Sequence, residues 1–233
     1  LDAFTPLVID GQGLRVHLDK SGQVTVHRRN DRWLQGAARR RSPSKTFERY
    51  GPAKQAMMKP FLLVYGTHDP KLAAVLQHAA RQEAVRWWLN GNGYAEVYAD
   101  TELTEMQARS KNLVLYGGAR ENSVTARLAN SLPIRIQGQK LVCGAKSLGD
   151  SLAAVFVYPN PLNQAHLVLV RMGTDAEHTK LALMYGIAGP GTGVPDFMVF
   201  DSSVRRYGWA GVRAAGFFDS EWRLDPRSSW IRD

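Results

Sequence analysis

The sequence predicts an α/β protein with a mainly parallel, doubly wound sheet of the Rossmann or flavodoxin-like type and an N-terminal β-meander lead-in. Three observations predict this class. Apolar runs alternate with amphipathic segments from about residue 60, the runs are continuously apolar, and several stop at a glycine before polar residues. Strands that are buried on both faces of a parallel sheet have this continuously apolar pattern. We assign residues 1–50 to a β-meander and basic connector, and residues 51–233 to a three-layer α/β domain.

Charge is concentrated in the lead-in. The 233 residues carry a net charge of +9, and residues 1–54 hold eleven basic and five acidic side chains. Basic residues interleaved with aromatics can bind a nucleic-acid backbone, but Trp33 is the only aromatic residue among the arginines of residues 28–41. We therefore expect a solvated connector, with nucleic-acid binding through residues 28–49 as the weaker alternative. Cys143 is the single cysteine, which excludes an internal disulfide and a thiolate-rich metal site.

No targeting or membrane segment is evident. No apolar run approaches the roughly 20 residues that span a bilayer. The chain begins at Leu1 rather than at a methionine, so we expect a fragment of a longer protein.

The lead-in alternates apolar and polar residues with strand periodicity. Residues 7–11, 14–18 and 24–27 are separated by glycine-containing turns and predict a three-stranded meander with one apolar face. Three short strands need a partner to pack against.

The central elements begin with a proline-bounded strand at residues 61–65. A helix over residues 72–89 follows from apolar residues at helical spacing, and it ends in the Asn-Gly pairs of residues 90–93. Further predicted elements are a strand at 94–98, a helix at 101–109, a strand at 113–116, a helix at 122–130, a hairpin at 134–136 and 141–143, strands at 153–158 and 167–170, a helix at 177–187 and a strand at 197–200. The aromatic tail at 216–222 is expected to dock.

Three strands end in similar polar turns, and ligands of doubly wound sheets bind beyond the carboxyl ends of strands. Helix N-termini at that edge present free N–H groups to anions. The residues of this candidate crevice are Thr67, His68, Asp69, Gly117, Gly118, Arg120, Asn122, Gly173, Thr174 and Asp175. The alternative is that these residue types only satisfy turns and helix caps.

Known catalytic and nucleotide motifs are absent from the sequence. It contains no Gly-x-Gly-x-x-Gly after a strand, no phosphate loop and no Gly-x-Ser-x-Gly elbow. His68, Asp69, Asp175 and His178 do not have the i, i+4 spacing of a helical zinc motif. We therefore assign no catalytic residue, no metal and no cofactor.

Several strand-end motifs resemble the C-terminal region of bacterial secreted prolyl-oligopeptidase-like proteins of the α/β-hydrolase type. They are Gly51-Pro-Ala-Lys-Gln-Ala-Met57, Pro60-Phe-Leu-Leu-Val-Tyr-Gly-Thr67, Asn112-Leu-Val-Leu-Tyr-Gly117, Glu121-Asn-Ser123, Leu132-Pro-Ile134, Val157-Tyr-Pro-Asn-Pro161, Pro195-Asp-Phe-Met-Val-Phe-Asp201 and Ala215-Gly-Phe-Phe-Asp219. The chain departs from the family pattern within Ala53-Lys-Gln-Ala-Met57, where that pattern has Asp-Ala-Phe.

The resemblance implies a secreted or periplasmic protein whose catalytic serine domain lies upstream of this chain, and it transfers no catalytic residue. From it we expect a non-catalytic accessory or binding domain of a secreted bacterial serine hydrolase, with the upstream hydrolase domain as its partner. The alternative is a stand-alone α/β domain, either an enzyme or a binding protein, that binds a small anionic ligand at the carboxyl edge of its sheet.

Overall fold

The computed structural model describes residues 4–29, 31–37, 43–187, 189 and 193–232. The chain divides into two compact units, Leu1–Arg41 and Ser42–Asp233. Residues 38–42 of the predicted basic connector lie outside the described residues. The assignment of domains to residues 1–50 and 51–233 stays a prediction.

The first unit contains two antiparallel hairpins rather than one meander. Its strands are β1 (Thr5–Ile9), β2 (Gln12–Val16), β3 (Val26–Arg29) and β4 (Arg32–Gln35). β1 pairs with β2, and β3 pairs with β4. The Gln12 side chain joins the hairpins, because it both donates to the carbonyl of Trp33 (2.9 Å) and accepts from its N–H (2.7 Å). Trp33 lies in β4, a fourth strand within the stretch that the sequence analysis assigned to the connector.

The second unit is richer in strands than the sequence predicts. Its strands are β5 (Phe61–Tyr65), β6 (Glu96–Ala99), β7 (Asn112–Tyr116), β8 (Ile134–Gln137), β9 (Lys140–Cys143), β10 (Lys146–Gly149), β11 (Ala153–Pro159), β12 (Leu167–Gly173), β13 (Phe197–Phe200), β14 (Val212–Phe218) and β15 (Leu224–Ile231). In the described part of the chain, eight of them form one sheet in the order β15-β14-β13-β11-β12-β7-β5-β6. β8, β9 and β10 form a separate antiparallel sheet.

The predicted fold class, a mainly parallel doubly wound sheet, is wrong. Only the β12-β7-β5-β6 part of the described sheet is parallel, and β11, β13, β14 and β15 pair antiparallel with their neighbours. Residues 160–166 alone connect β11 to β12. A connection without a helix cannot make the crossover that parallel neighbours require, so the two strands form a hairpin. The second unit is thus a mixed sheet.

The helices of the second unit are α1 (Pro70–Gly91), α2 (Glu105–Ser110), α3 (Ser123–Leu128), α4 (Ala176–Ala182) and α5 (Val204–Tyr207), with 3₁₀ turns at Ala53–Met57, Ala129–Ser131 and Gly208–Gly211. The long helix predicted over residues 72–89 is confirmed as α1. Asp69 caps its N-terminus, and Asn92 ends it in the left-handed conformation (φ 48°). Asn tolerates that conformation better than most residues.

Arg171 is a buried cation in the centre of the sheet. Its side chain is 1% exposed, and its Nη1 lies 3.4 Å from Oε2 of Glu83 on α1, which is 2% exposed. The guanidinium also donates to carbonyl oxygens at and after the end of α4, those of Ala182, Leu183 and Tyr185. A buried charge with these partners joins β12 to α1 and to the segment that follows α4.

Candidate functional site

The parallel strands end at one edge of the sheet, which we call the carboxyl edge. Tyr65 at the end of β5 pairs with Ala99 and Tyr116, and Ala153 pairs with both Gly173 and Phe200. β13 also ends here, because β12 and β13 are both antiparallel to β11. The three predicted segments therefore meet at the same edge.

The segment after β5 is held by hydrogen bonds. Thr67 Oγ1 donates to Oδ1 of Asp100 (2.6 Å), and the His68 N–H donates to the carbonyl oxygen of Glu121 (2.9 Å). Asp69 accepts from a backbone N–H two residues later (2.9 Å) as the N-cap of α1. The backbone of this segment is thus fixed against the turn that follows β7, and two of its side chains are already bonded.

Asp100 is the centre of a network that the sequence analysis missed. It is 4% exposed, and its Oδ2 accepts from the Ser123 N–H (2.6 Å) while Oδ1 accepts from Thr67. Burial works against its charge, but the hydrogen bonds from Ser123 and Thr67 outweigh burial and lower its pKa. Asp100 thereby ties the ends of β5 and β6 to the start of α3.

The segment after β7 makes a compact turn. The Gly118 N–H donates to the carboxylate of Glu121 (2.7 Å), and burial raises the pKa of that carboxyl. Gly117 has φ 103°, which favours glycine. The Asn122 side chain accepts from two N–H groups of α3 (3.0 and 3.1 Å) and donates to carbonyls of β5 and β7 (both 3.1 Å). Arg120 is exposed and donates to a carbonyl of the β8–β9 turn.

The segment after β12 is a turn and a helix cap. A Cβ at Gly173 would lie 2.1 Å from a backbone nitrogen of α4. Thr174 Oγ1 accepts from the Leu152 N–H (3.0 Å). Asp175 caps α4 and also contacts Nδ1 of His178 (2.7 Å).

The ten predicted residues thus lie along one edge, and most of their polar atoms satisfy turns and caps. This part of the edge also holds four carboxylates, those of Asp69, Asp100, Glu121 and Asp175, beside the exposed Arg120. Their field opposes an anion here. A ligand-binding role for these ten residues stays a prediction. Across the described residues, no cluster of three or more His, Cys, Asp and Glu side chains could hold a metal ion.

A groove of about 350 Å³ opens farther along the carboxyl edge, near the end of β13 and the start of β11. We call it the basic groove. Its lining residues are Lys146, Ser147, Leu148, Gly149, Asp150, Ser151, Leu152, Asp201, Arg213 and Arg232. Sequence reasoning missed it, because Arg213 lies on β14 and Arg232 directly follows β15, and the sequence analysis did not resolve these two strands.

The cations of the basic groove have different partners. Arg213 Nη2 lies 2.5 Å from Oδ2 of Asp201. Burial opposes the charge of Asp201, but hydrogen bonds from Ser203 and Arg213 lower its pKa. Arg232 Nη1 donates to the carbonyl oxygen of Ala210 (3.2 Å), which is a neutral acceptor. The charge of Arg213 is therefore balanced by Asp201, whereas a carbonyl supplies no balancing charge to Arg232.

A second groove, also about 350 Å³, lies at the opposite edge, where the parallel strands begin. Its lining residues are Met57, Met58, Lys59, Pro60, Phe61, Trp87, Tyr94, Glu96 and Lys111. Lys59 and Lys111 are paired with Glu48 (2.7 Å) and Glu96 (2.6 Å). The charge of each of these two lysines is therefore balanced by a carboxylate.

Comparison with known proteins gives one informative relative. No protein-family model matches the chain. An "Uncharacterized secreted protein" of the fungus Arthroderma benhamiae is 30% identical over 240 residues, which cover 97% of this chain. The match spans 25% of the length of that relative. Within the described residues, no helix combines the length and apolar character that crossing a membrane requires.

These findings overturn the resemblance to the C-terminal region of bacterial prolyl-oligopeptidase-like proteins. The relative is fungal and is described only as an uncharacterized secreted protein, and no family model supports the assignment. The motifs that suggested the resemblance are strand ends and turns, which unrelated sheets share because the same backbone geometry selects the same residues.

Proposed function

We propose that the second unit is a non-catalytic binding module of a larger secreted protein, and that it takes a small anionic group in the basic groove. The observation that carries this proposal is the convergence of Arg213 and Arg232 on one cavity of about 350 Å³. Pockets for small ligands start at about this size.

The ladder between β14 and β15 favours an anion. The Arg232 N–H donates to the carbonyl oxygen of Arg213 (2.8 Å), so the two residues lie directly opposite each other. Like charges at opposed positions destabilise a sheet. Asp201 balances Arg213, and a bound anion would balance Arg232. Binding should therefore stabilise the fold.

The chemistry of the carboxyl edge supports a non-catalytic role. In a nucleophilic triad a histidine lies between the carboxylate and the hydroxyl nucleophile. Here Thr67 donates directly to Asp100 at 2.6 Å, and Asp100 also binds the backbone of Ser123. This arrangement fixes two turns and places no histidine between the hydroxyl of Thr67 and the carboxylate.

The comparison supports a place in a larger secreted protein. The fungal relative is described as secreted, and the chain matches a quarter of its length. On this basis we propose that the module acts outside the cell, where its partners include other parts of the same polypeptide.

Thermal unfolding in the presence of acetate, succinate, phosphate and sulfate, at constant ionic strength with chloride as reference, tests the proposal. We expect at least one anion to raise Tm by several degrees at millimolar concentration. The Arg232→Gln variant should lose most of that shift. Arg227→Gln is the matched control, because Arg227 is an exposed arginine of β15 that contacts Asp225 (3.2 Å) outside the groove.

Two results would contradict the proposal. One is no Tm shift with any anion. The other is an equal shift in the wild type and in Arg232→Gln, since excluded anions such as sulfate stabilise proteins without a site.

A further inference from the structure

An exposed tryptophan shares a strand face with the arginines of the basic groove. In the β14–β15 ladder Ala215 pairs with Trp230, and Arg213 lies opposite Arg232. Residues two apart on a strand point to the same face. Trp230 and Arg232 are therefore neighbours on one face of β15, about 7 Å apart along the strand.

The neighbourhood of Trp230 leaves its ring accessible. The residue is 51% exposed, and the side chain opposite it is the methyl group of Ala215. Arg232, two residues farther along the same strand face, lines the groove.

We propose that the ligand of the basic groove is an acidic sugar, a pyranose that carries a carboxylate. This inference rests on the proposed function, because it names the class of anion for the same site. A guanidinium binds a carboxylate through two parallel hydrogen bonds. An indole ring offers a flat apolar surface to the C–H face of a pyranose.

The other groove residues suit sugar hydroxyl groups. Ser147 and Ser151 can donate and accept hydrogen bonds, and Asp150 accepts them. A simple anion such as sulfate would use the arginines alone. An acidic sugar would contact the arginines, these polar side chains and the Trp230 ring together. We therefore expect it to bind more tightly than a simple anion.

Isothermal titration calorimetry tests this inference with trigalacturonate, the neutral trisaccharide of galactose, acetate and sulfate. We expect trigalacturonate to bind at least tenfold more tightly than either acetate or the neutral trisaccharide. Trp230→Ala should weaken trigalacturonate binding about tenfold and leave acetate and sulfate binding within twofold. Trp230→Phe should keep most of the affinity, which separates ring stacking from a fold defect.

The matched control is Trp88→Ala. Trp88 is 62% exposed and lies near the end of α1, at the opposite edge from the basic groove, so its loss should change no affinity. Equal affinities for trigalacturonate and acetate, or a Trp230→Ala variant that keeps wild-type affinity for trigalacturonate, would overturn the inference. If acetate and sulfate still bind through Arg232 in that case, the proposed function stands. If no anion binds, both the acidic-sugar inference and the proposed function are contradicted.

Discussion

Gly51 lies directly against the buried carboxylate of Asp196. A Cβ at position 51 would lie 1.7 Å from Oδ1 of Asp196, and Gly51 has φ 78°. Asp196 is fully buried, and its Oδ2 accepts from Lys45 Nζ (2.5 Å) and from the Phe218 N–H (2.9 Å). These two hydrogen bonds hold the carboxylate in place, so it cannot move away from Gly51 without losing them.

Gly51→Ala should lower the free energy of unfolding by about 3 kcal/mol, because a strained φ and a clash with a buried group act together. Gly138→Ala is the matched control: its φ is 60°, but nothing lies within 4 Å of its Cβ position. That variant should lose only about 1 kcal/mol, the cost of the left-handed conformation. Urea unfolding measures the free energy of unfolding of both variants. Equal losses in the two variants would contradict the close contact between Gly51 and Asp196.

The buried pair of Arg171 and Glu83 gives a second prediction. Arg171→Met should destabilise the protein by about 3–5 kcal/mol, because it leaves a buried carboxylate and three carbonyls without their cation. The double variant Arg171→Met with Glu83→Met should be more stable than Arg171→Met alone, since no uncompensated charge remains. A double-mutant cycle from denaturant unfolding measures the coupling. Strictly additive losses would show that the two side chains do not interact.

The lowered pKa of Asp100 predicts that the free energy of unfolding depends on pH. Burial raises its pKa, but hydrogen bonds from Ser123 and Thr67 more than offset this, so its folded pKa lies below the ordinary value of 3.8. Its contribution is present above the unfolded pKa and is lost as the pH falls through the folded pKa. Asp100→Asn should therefore cost about 2 kcal/mol at pH 7, and less as the pH approaches the folded pKa.

Unfolding curves of wild type and Asp100→Asn between pH 7 and pH 3 check this dependence. The exposed Asp150→Asn serves as control and should change stability little at any pH. A stability difference for Asp100→Asn that stays constant over the whole range would contradict the account.

The second unit should not hydrolyse p-nitrophenyl esters or peptide amides above background. Ser123 begins α3 beside Asp100, but the carboxylate binds its backbone N–H and the hydroxyl of Thr67. Turnover that is abolished by Ser123→Ala, with the fold intact by circular dichroism, would show that the carboxyl edge is catalytic.

Apolar periodicity predicted much of the local structure. The run from Phe61 to Tyr65 and the stripe after Leu72 give β5 and α1, because burial dictates both patterns. Strand direction was not readable from apolar runs alone. The short link between Pro159 and Leu167 does indicate the strand direction, because it is too short for a crossover connection and makes β11 and β12 a hairpin. β14 and β15 were missed because Gly216 and Pro226 interrupt their patterns.

The candidate site was only partly accessible to sequence reasoning. Gly117 and Asp175 were correctly placed at one edge, because parallel strands bring their carboxyl ends together. The basic groove depends on Arg213 and Arg232, which meet only through the pairing of two late strands. No local pattern in the sequence predicts that pairing.

The most direct test of the central claim is a titration of ¹⁵N-labelled protein with trigalacturonate and with acetate, followed by amide chemical shifts. We predict saturable changes at residues 146–152, Asp201, Arg213 and Arg232 with both ligands, extending to Trp230 with trigalacturonate only, and their loss in Arg232→Gln. Changes centred on the second groove, at Met58 and Tyr94, or no saturable change with either ligand, would contradict an anion site in the basic groove.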